Sequence, residues 1–105
     1  MPTIRLGPCA DVPEGSGRTF VAGGRHIAVF CAEGNFYAID DKCSHADASL
    51  GAGEFDPDTL CVACPRHGAS FDVRSGAVRS LPAFKPVASY RVVVDEAILF
   101  VECPD

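Results

Sequence analysis

Two short motifs, each pairing one cysteine with one histidine, constrain this chain more than any other feature of its sequence. Cys43 and His45 stand in the run CSH, and Cys64 and His67 stand in the run CPRHG, with 18 residues between the two motifs. The first pair, two residues apart, cannot lie on one face of a regular helix, and Pro65 and Gly68 on either side of His67 favour a turn at the second pair, so each pair belongs on a tight loop. Two thiolates and two imidazoles can hold either one tetrahedral zinc ion or a 2Fe-2S cluster with mixed ligands.

Length and charge limit the kinds of partner. A chain of 105 residues predicts a single domain over residues 1–105 that buries roughly two-thirds of its unfolded surface. A formal net charge of -5 and a pI near 5.0 argue against nucleic acid and anionic membranes, since both need a basic face. The favoured partners are proteins with basic patches.

Whether the six cysteines indicate disulfides or metal binding depends on whether the protein is secreted. The first 17 residues, MPTIRLGPCADVPEGSG, lack the basic start, apolar run and cleavage site of a signal peptide, and no apolar run approaches the roughly 18 residues of a membrane span. We therefore expect a soluble, cytoplasmic protein. In that setting six cysteines indicate metal binding before disulfides.

Short β-rich runs between turn signals predict an antiparallel all-β domain. Residues 46–58 show no sustained period and are interpreted as an irregular linker with room for a turn or two of helix, while LPAFKP at 81–86 is a stiff loop. Two-residue turns are expected at Gly23-Gly24, Glu33-Gly34 and Asp95-Glu96. The predicted strands are residues 3–7, 18–22, 26–32, 35–40, 59–63, 70–73, 77–79, 87–94 and 97–102.

Zinc is the competing interpretation of the two motifs. Cys61 lies three residues before Cys64 and so offers a CxxC pair of the kind found in zinc knuckles. However, Cys61 stands within the strand-like run TLCVA, where the sheet would keep its side chain from converging on the loop. A domain with a sheet-sized core also has little need of zinc to fold. One cysteine and one histidine in each loop is the arrangement that a mixed-ligand cluster needs.

The runs CSH and CPRHG, with their spacing, resemble the two cluster-binding motifs of Rieske-type 2Fe-2S proteins. The likeness extends over nearly the whole chain, because the hairpin before the first motif, the proline loop and the final hairpin also look like that fold. It implies Rieske-like antiparallel sheets in a sandwich, with a cluster-binding portion at about residues 41–84. By the same likeness Cys43 and Cys64 would bind the inner iron, and His45 and His67 would bind the outer iron near the surface.

Departures from the family pattern indicate which kind of Rieske protein this is. High-potential respiratory members carry an extra cysteine in each motif, and Ala48 and Arg66 stand near those places here, so that disulfide cannot form. Those members also place hydroxyls two and four residues after the second histidine, where this chain has Ala69 and Phe71. With fewer hydrogen bonds to the sulfurs, we expect a potential toward the low end of about -150 to +300 mV, with Ser70 as the one nearby hydroxyl that could raise it.

A low-potential single-domain protein of this kind resembles the ferredoxin components of bacterial aromatic-ring dioxygenase systems. The resemblance implies a monomeric one-electron carrier, not an enzyme, that takes electrons from an NAD(P)H-dependent flavoprotein reductase and passes them to a terminal oxygenase. Transfer would run through the imidazole edges of His45 and His67. The alternatives are the small subunit of an assimilatory nitrite reductase and a structural zinc or redox-sensing module.

Other reactive side chains are expected to do less. His26 is interpreted as a surface or hairpin-edge residue, and the cysteines outside the motifs as small hydrophobic residues. Arg66 is interpreted as either a partner contact or a tuning charge, and Pro82 as part of the cover over the cluster. Acidic residues around the first motif form either a solvated loop or a docking patch for a basic partner. They are Asp40, Asp41, Asp47, Glu54, Asp56 and Asp58.

Overall fold

Two antiparallel sheets make up the part of the chain that the structure describes. The computed structural model describes residues 3–42, 48–65, 69–79 and 85–102. Within these residues the strand order is β1-β9-β8-β4-β3-β2 in the larger sheet and β5-β6-β7 in the smaller. The strands are β1 Thr3–Pro8, β2 Gly17–Ala22, β3 Arg25–Ala32, β4 Asn35–Asp40, β5 Glu54–Asp56, β6 Cys61–Ala63, β7 Ser70–Asp72, β8 Ser89–Asp95 and β9 Ile98–Glu102.

The larger sheet curls toward a barrel. Its two edge strands, β1 and β2, turn side chains into the same core, where Phe20 of β2 packs with Leu99 and Val101 of β9, and Ile4 of β1 lies against them. We call the buried set on this side the barrel core. It consists of Val12, Phe20, Ile27, Val29, Cys31, Ala38, Tyr90, Leu99 and Val101.

The smaller sheet packs against the outside of the curled sheet through a second core. Phe30 of β3 and Phe55 of β5 meet there with ring centroids 4.9 Å apart. We call this second buried set the inter-sheet core. It consists of Ala28, Phe30, Ile39, Leu50, Val62, Cys64, Ala69, Phe71, Val73 and Val87.

Strand β3 forms the wall between the two cores. Its side chains alternate between the barrel core, at Ile27, Val29 and Cys31, and the inter-sheet core, at Ala28 and Phe30. Every residue from 27 to 32 is buried, which explains why this strand reads as a continuous apolar run instead of an alternating one.

The all-β prediction is confirmed, and most strands lie within a residue or two of their predicted bounds. The turns at Gly23-Gly24 and Glu33-Gly34 are also confirmed, since all four residues have positive φ, as two-residue hairpin loops of this type require. The last hairpin turns at Glu96-Ala97, one residue later than predicted. This shift pairs Val94 with Leu99 and keeps Leu99 and Val101 in the barrel core.

Three other predictions around the smaller sheet were right only in part. The expected strand at 59–63 begins only at Cys61, because Leu60 has a φ of +59° that no strand can continue. The expected strand at 77–79 is reduced to one isolated bridge between Phe71 and Val78. The predicted irregular linker at 46–58 contains the strand β5, which pairs with β6, while the expected turn of helix is confirmed as a 3-10 turn at Leu50–Ala52.

The described residues contain no helix that is long and apolar enough to cross a membrane. Residues 80–84, which include most of the predicted proline loop and Pro82, lie outside the described residues.

Candidate metal centre

The first motif follows β4 and lies between the two residues of an isolated antiparallel bridge, Lys42 and Ser49. Beside this bridge the N–H of Leu50 donates to the carbonyl of Asp41 at 2.6 Å. We call residues 43–48 the first ligand segment. Cys43 and His45 lie outside the described residues, so the structure gives their stems and not their side chains.

The second motif lies between the paired strands β6 and β7. Their ladder ends with Ala63 opposite Ser70, and the next pair of residues extends it, because the N–H of Cys64 donates to the carbonyl of Ala69 at 2.6 Å. We call residues 65–68 the second ligand segment; His67 and Arg66 lie outside the described residues. The placement of Cys64 directly after a strand, as expected from the sequence, is confirmed.

Cys64 is the one predicted ligand whose surroundings the structure describes. Its side chain is 2% exposed and belongs to the inter-sheet core together with Leu50, Ala69 and Phe71. Leu50 follows the first ligand segment and Ala69 follows the second, so residues from both stems share the core in which Cys64 is buried. A buried thiol between two such stems fits the inner-iron position of a mixed-ligand cluster, which must be screened from water.

Close packing joins the two stems further along the chain. A Cβ placed on Gly53 would lie 2.1 Å from the carbonyl oxygen of Ala63, a distance that only glycine avoids. The next residue, Glu54, pairs with Ala63 in the ladder between β5 and β6. The chain that leaves the first ligand segment therefore runs directly against the strand that leads to Cys64.

Cys61 does not point the same way as Cys64. Successive side chains of a strand alternate between faces, and Val62 and Cys64 are buried in the inter-sheet core while Cys61 is only half-buried. The Cys61 thiol instead donates to the carbonyl of Thr59 at 3.5 Å, on the outer face of the smaller sheet. Among the described residues, no group of three or more His, Cys, Asp or Glu side chains could hold a metal ion.

Asp41 was misjudged from the sequence, because it is not a surface carboxylate. It is 6% exposed, and its Oδ1 accepts hydrogen bonds from Thr19, Ser49 and the N–H of Gly51. No local signal in the sequence marks this site, since Thr19 lies on β2, far from the motif along the chain. Within the acidic set, a docking patch could therefore not include Asp41.

A cavity of about 470 Å³ adjoins the first ligand segment and is lined by Arg25, His26, Asp40 and Lys42, among others. His26 is exposed at the start of β3, as expected. The hydroxyl of Tyr90 donates a short hydrogen bond to Asp40, and Arg25 donates to the same hydroxyl at 3.4 Å. Burial, followed by the neighbouring Asp40 carboxylate, raises the pKa of Tyr90, so this hydroxyl stays neutral and keeps its proton.

A second buried carboxylate, Asp72, fixes the turn after β7. Arg74 donates to Asp72 from Nε at 3.1 Å, from Nη2 at 2.8 Å and from its backbone N–H at 2.8 Å. Arg79 adds a longer ion pair at 3.8 Å. The Arg74 side chain, the largest cause, lowers the pKa of Asp72, so the carboxylate is charged at neutral pH.

The positions that carry hydroxyls in high-potential relatives are apolar and fully buried here. Ala69 and Phe71 are both 0% exposed and lie in the inter-sheet core. Ser70 lies on the other side of β7, where it lines a cavity on the outer face together with Ala63 and Cys61. Ala48, near one of the places where those relatives carry a disulfide cysteine, packs against the inter-sheet core.

Comparisons with known proteins agree with this geometry. The family model for the Rieske [2Fe-2S] domain matches residues 3–91. The chain is 41% identical to the 3-phenylpropionate/cinnamic acid dioxygenase ferredoxin subunit of Escherichia coli K12 over 98 residues, which cover 93% of this chain and 91% of the relative.

Solved structures give the same result. The ferredoxin of carbazole 1,9a-dioxygenase from Nocardioides aromaticivorans IC177 superposes with a TM-score of 0.91 at 36% identity, covering 96% of this chain and 97% of that chain. A ferredoxin in a complex of reduced oxygenase and oxidised ferredoxin from carbazole 1,9a-dioxygenase superposes with a TM-score of 0.84 at 33% identity, covering 94% and 91%. The chain thus belongs to the Rieske [2Fe-2S] domain family, and its cofactor is a [2Fe-2S] cluster.

Proposed function

We propose that this protein is the ferredoxin component of an aromatic-ring dioxygenase system and carries single electrons from a flavoprotein reductase to a terminal oxygenase. Relatives at 41% and 36% identity are dioxygenase ferredoxins, and one similar ferredoxin was solved in complex with its oxygenase. The observation in this chain that carries the proposal is the buried Cys64, which shares the inter-sheet core with residues from both ligand stems.

We propose that Cys43, His45, Cys64 and His67 are the cluster ligands. The burial of Cys64 supports the inner-iron role for the cysteines, because thiolates on that iron are screened from water by the inter-sheet core. His45 and His67 are assigned to the outer iron on the likeness of the two motifs to those of the Rieske family. When bound, the cluster takes up and returns one electron.

The surroundings of Cys64 support a low reduction potential. A reduced cluster carries one more negative charge, which hydrogen bonds to its sulfurs stabilise. Ala69 and Phe71 offer no side-chain donor, and Ser70 lies on the outer face of the smaller sheet. We therefore propose a potential toward the low end of about -150 to +300 mV, which a reductase that draws on NAD(P)H can supply.

We further propose that residues 1–105 act as one Rieske domain with its cluster-binding portion at about 41–84, and that the protein works as a cytoplasmic monomer. The shared wall of β3 supports one domain, because both cores are built on it. The described cysteines Cys9, Cys31, Cys61 and Cys64 form no disulfide, which is in keeping with a reducing compartment.

The alternatives receive less support. A zinc site that used the Cys61 and Cys64 pair would need both thiols on one side of β6, and they lie on opposite sides. For the nitrite reductase small subunit, many members lack cluster ligands, whereas all four are present here, and the relatives at 41% identity are dioxygenase ferredoxins.

The first experiment is iron and zinc analysis of the purified protein, with an EPR spectrum after reduction by dithionite. We expect about two irons per chain and the low average g value of mixed cysteine and histidine ligation. A colourless, EPR-silent protein that contains zinc would overturn both the carrier function and the proposed ligand set.

The electron-transfer route is tested with His67→Ala against His26→Ala. His26 is the matched control, because it is an exposed histidine near the first ligand segment that we do not assign as a ligand. We expect His67→Ala to lose the Rieske EPR signal and the transfer from reductase to oxygenase, and His26→Ala to keep the signal. Wild-type transfer rates in His67→Ala would remove the proposed role of this imidazole.

A further inference from the structure

The carboxylate of Asp41 has an unusual number of partners for a side chain at the foot of a loop. Its Oδ1 accepts from Thr19 Oγ1 at 2.7 Å, from Ser49 Oγ at 2.8 Å and from the N–H of Gly51 at 2.8 Å. The residue is 6% exposed. A buried carboxylate is costly unless several donors stabilise it, so these three bonds hold the side chain in one position.

The partners of Asp41 come from both sides of the first ligand segment and from the larger sheet. Asp41 precedes Cys43 by two residues, while Ser49 and Gly51 follow the segment. Thr19 belongs to β2 and joins this pair of stems to the curled sheet. One carboxylate oxygen thus fixes the distance between the chain entering the segment and the chain leaving it.

The packing around Gly51 shows how tightly this arrangement is built. A Cβ on Gly51 would lie 2.1 Å from Thr19 Oγ1 and 2.9 Å from Asp41 Oδ1. Only glycine lets the backbone come close enough for its N–H to reach the carboxylate. Glycine at position 51 therefore allows the backbone N–H to donate to the Asp41 carboxylate.

The second ligand segment is held in a different way. Its stems are the paired strands β6 and β7, whose ladder continues to the hydrogen bond between Cys64 and Ala69. Between the described parts of the first segment's stems, the backbone pairing consists of the isolated bridge between Lys42 and Ser49 and the hydrogen bond from Leu50 to Asp41. A side-chain carboxylate supplies the restraint that a ladder supplies on the other side.

We propose that Asp41 is a positioning residue for the cluster, and that its hydrogen-bonded carboxylate sets the approach of Cys43 and His45 to the irons. This inference rests on the proposed ligand set. Groups that orient metal ligands commonly contribute about 10–100-fold to metal retention when they are removed one at a time. Loss of the Asp41 acceptor is therefore expected to loosen the cluster from its first-segment side.

The test measures iron release from the holoprotein to a ferrous chelator after reduction, together with the EPR g values. We expect Asp41→Ala to release iron about tenfold faster or more, with shifted g values. Asp41→Asn keeps an oxygen that can accept the same three hydrogen bonds, and we expect it to stay within about threefold of the wild type.

Asp72→Ala is the matched control, since Asp72 is an equally buried carboxylate at the end of β7 remote from the second ligand segment, and its hydrogen bonds go to Arg74 in the turn after that strand. It is expected to lower the melting temperature while leaving the g values unchanged and iron release within about threefold of the wild type. A wild-type release rate in Asp41→Ala, an equally fast release in Asp72→Ala, or an Asp41→Asn variant as fast as the alanine would each overturn the proposal.

A milder variant covers the case in which Asp41→Ala does not fold. Thr19→Val removes one of the three donors with little change in shape, and Thr59→Val, an exposed threonine in the turn before β6, is its control. We expect release about two- to fivefold faster in the first and unchanged in the second. If the wild-type protein itself lacks the two irons and the Rieske EPR signal, the proposed function is refuted. Failure of the proposed function is thereby distinguished from failure of the proposed role of Asp41.

Discussion

The two sides of β3 are stabilised by different means. On the barrel side, strands of five to eight residues pair over ladders of five or six residue pairs, except for the short ladder between β4 and β8, and the core is almost entirely apolar. On the inter-sheet side, β5, β6 and β7 have three residues each. Two buried carboxylates add polar restraints there: Asp41 holds the chain on either side of the first ligand segment, and Asp72 holds the turn after β7. The comparison teaches that the barrel is stabilised mainly by burial and ladder pairing, while the cluster side depends on a few polar groups at defined positions.

The largest loss of stability is expected from a substitution in β3, the strand that both cores share. Phe30→Ala removes a fully buried ring from the inter-sheet core and its contact with Phe55, and should cost about 3–5 kcal/mol of unfolding free energy. It should also speed iron release, because Cys64 lies in the same core. Chemical denaturation followed by circular dichroism, with a chelator assay, measures both.

Ile27→Ala is the control on the opposite face of β3. It should cost about 2–5 kcal/mol, since Ile27 is also fully buried, but in the barrel core. At temperatures where both variants are folded, iron release from Ile27→Ala should stay near the wild-type rate. If Phe30→Ala and Ile27→Ala release iron at equal rates, then packing on both faces of β3 affects the cluster to the same extent.

A smaller effect is expected from Asp72→Asn, at about 1–3 kcal/mol, because hydrogen bonds to a charged partner are lost while Arg74 remains half-exposed. The folded-state pKa of Asp72 is lowered, so its contribution is fully present above the ordinary aspartate pKa and is lost as pH falls through the folded value. The difference in stability from the wild type should therefore shrink from about pH 4 downward.

Denaturation of both proteins across this pH range provides the measurement, because groups common to both cancel in the difference. A difference that stays constant down to the lowest pH at which both fold would show that Asp72 acts through packing and not through its charge.

Ala69→Ser tests the electrostatics of the cluster side. If the new hydroxyl donates to a cluster sulfur and favours the reduced state by about 1–2 kcal/mol, the midpoint potential should rise by about 40–90 mV, at 59 mV per tenfold change. Ser70→Ala is the control, since Ser70 lies on the outer face of the smaller sheet. If Ala69→Ser shifts the midpoint potential no more than Ser70→Ala does, the proposed reason for a low potential is contradicted.

The smallest effect is expected on the barrel side, at Glu14. Its exposed carboxylate accepts hydrogen bonds from the N–H groups of Glu33 and Gly34 in the β3–β4 turn, which lower its pKa. Glu14→Gln should lower the melting temperature slightly at neutral pH, and the difference should disappear as pH falls through the folded-state pKa and the wild-type carboxyl is protonated. Glu96→Gln, in the turn between β8 and β9, should leave the melting temperature unchanged at all pH values.

Sequence reasoning succeeded where structure is local. The hairpin of β3 and β4 follows from two β-rich runs around Glu33-Gly34, and the position of Cys64 after a strand follows from the turn residues around it. The outward direction of Cys61 could also be predicted, because it follows from the alternation of side chains along β6.

Sequence reasoning failed where structure depends on contacts between distant segments. Strand β5 has little strand propensity of its own and exists because β6 pairs with it. The burial of Asp41 depends on Thr19, which is 22 residues away, and that of Asp72 on how Arg74 and Arg79 fold back over the turn. Such polar networks leave no periodic pattern in a sequence, so carboxylates of this kind are mistaken for solvated ones.

The short ladder between β4 and β8 has a consequence for the order of folding. These neighbouring strands share only two residue pairs, Ala38 with Tyr90 and Ile39 with Ser89, and the whole cluster-binding portion is an excursion of the chain between them. The hairpins of β2, β3 and β4 close small loops, which costs little chain entropy. A nascent chain can therefore pair β2, β3 and β4 first, and the pairing of β4 with β8, which closes the long loop that contains the cluster-binding portion, follows.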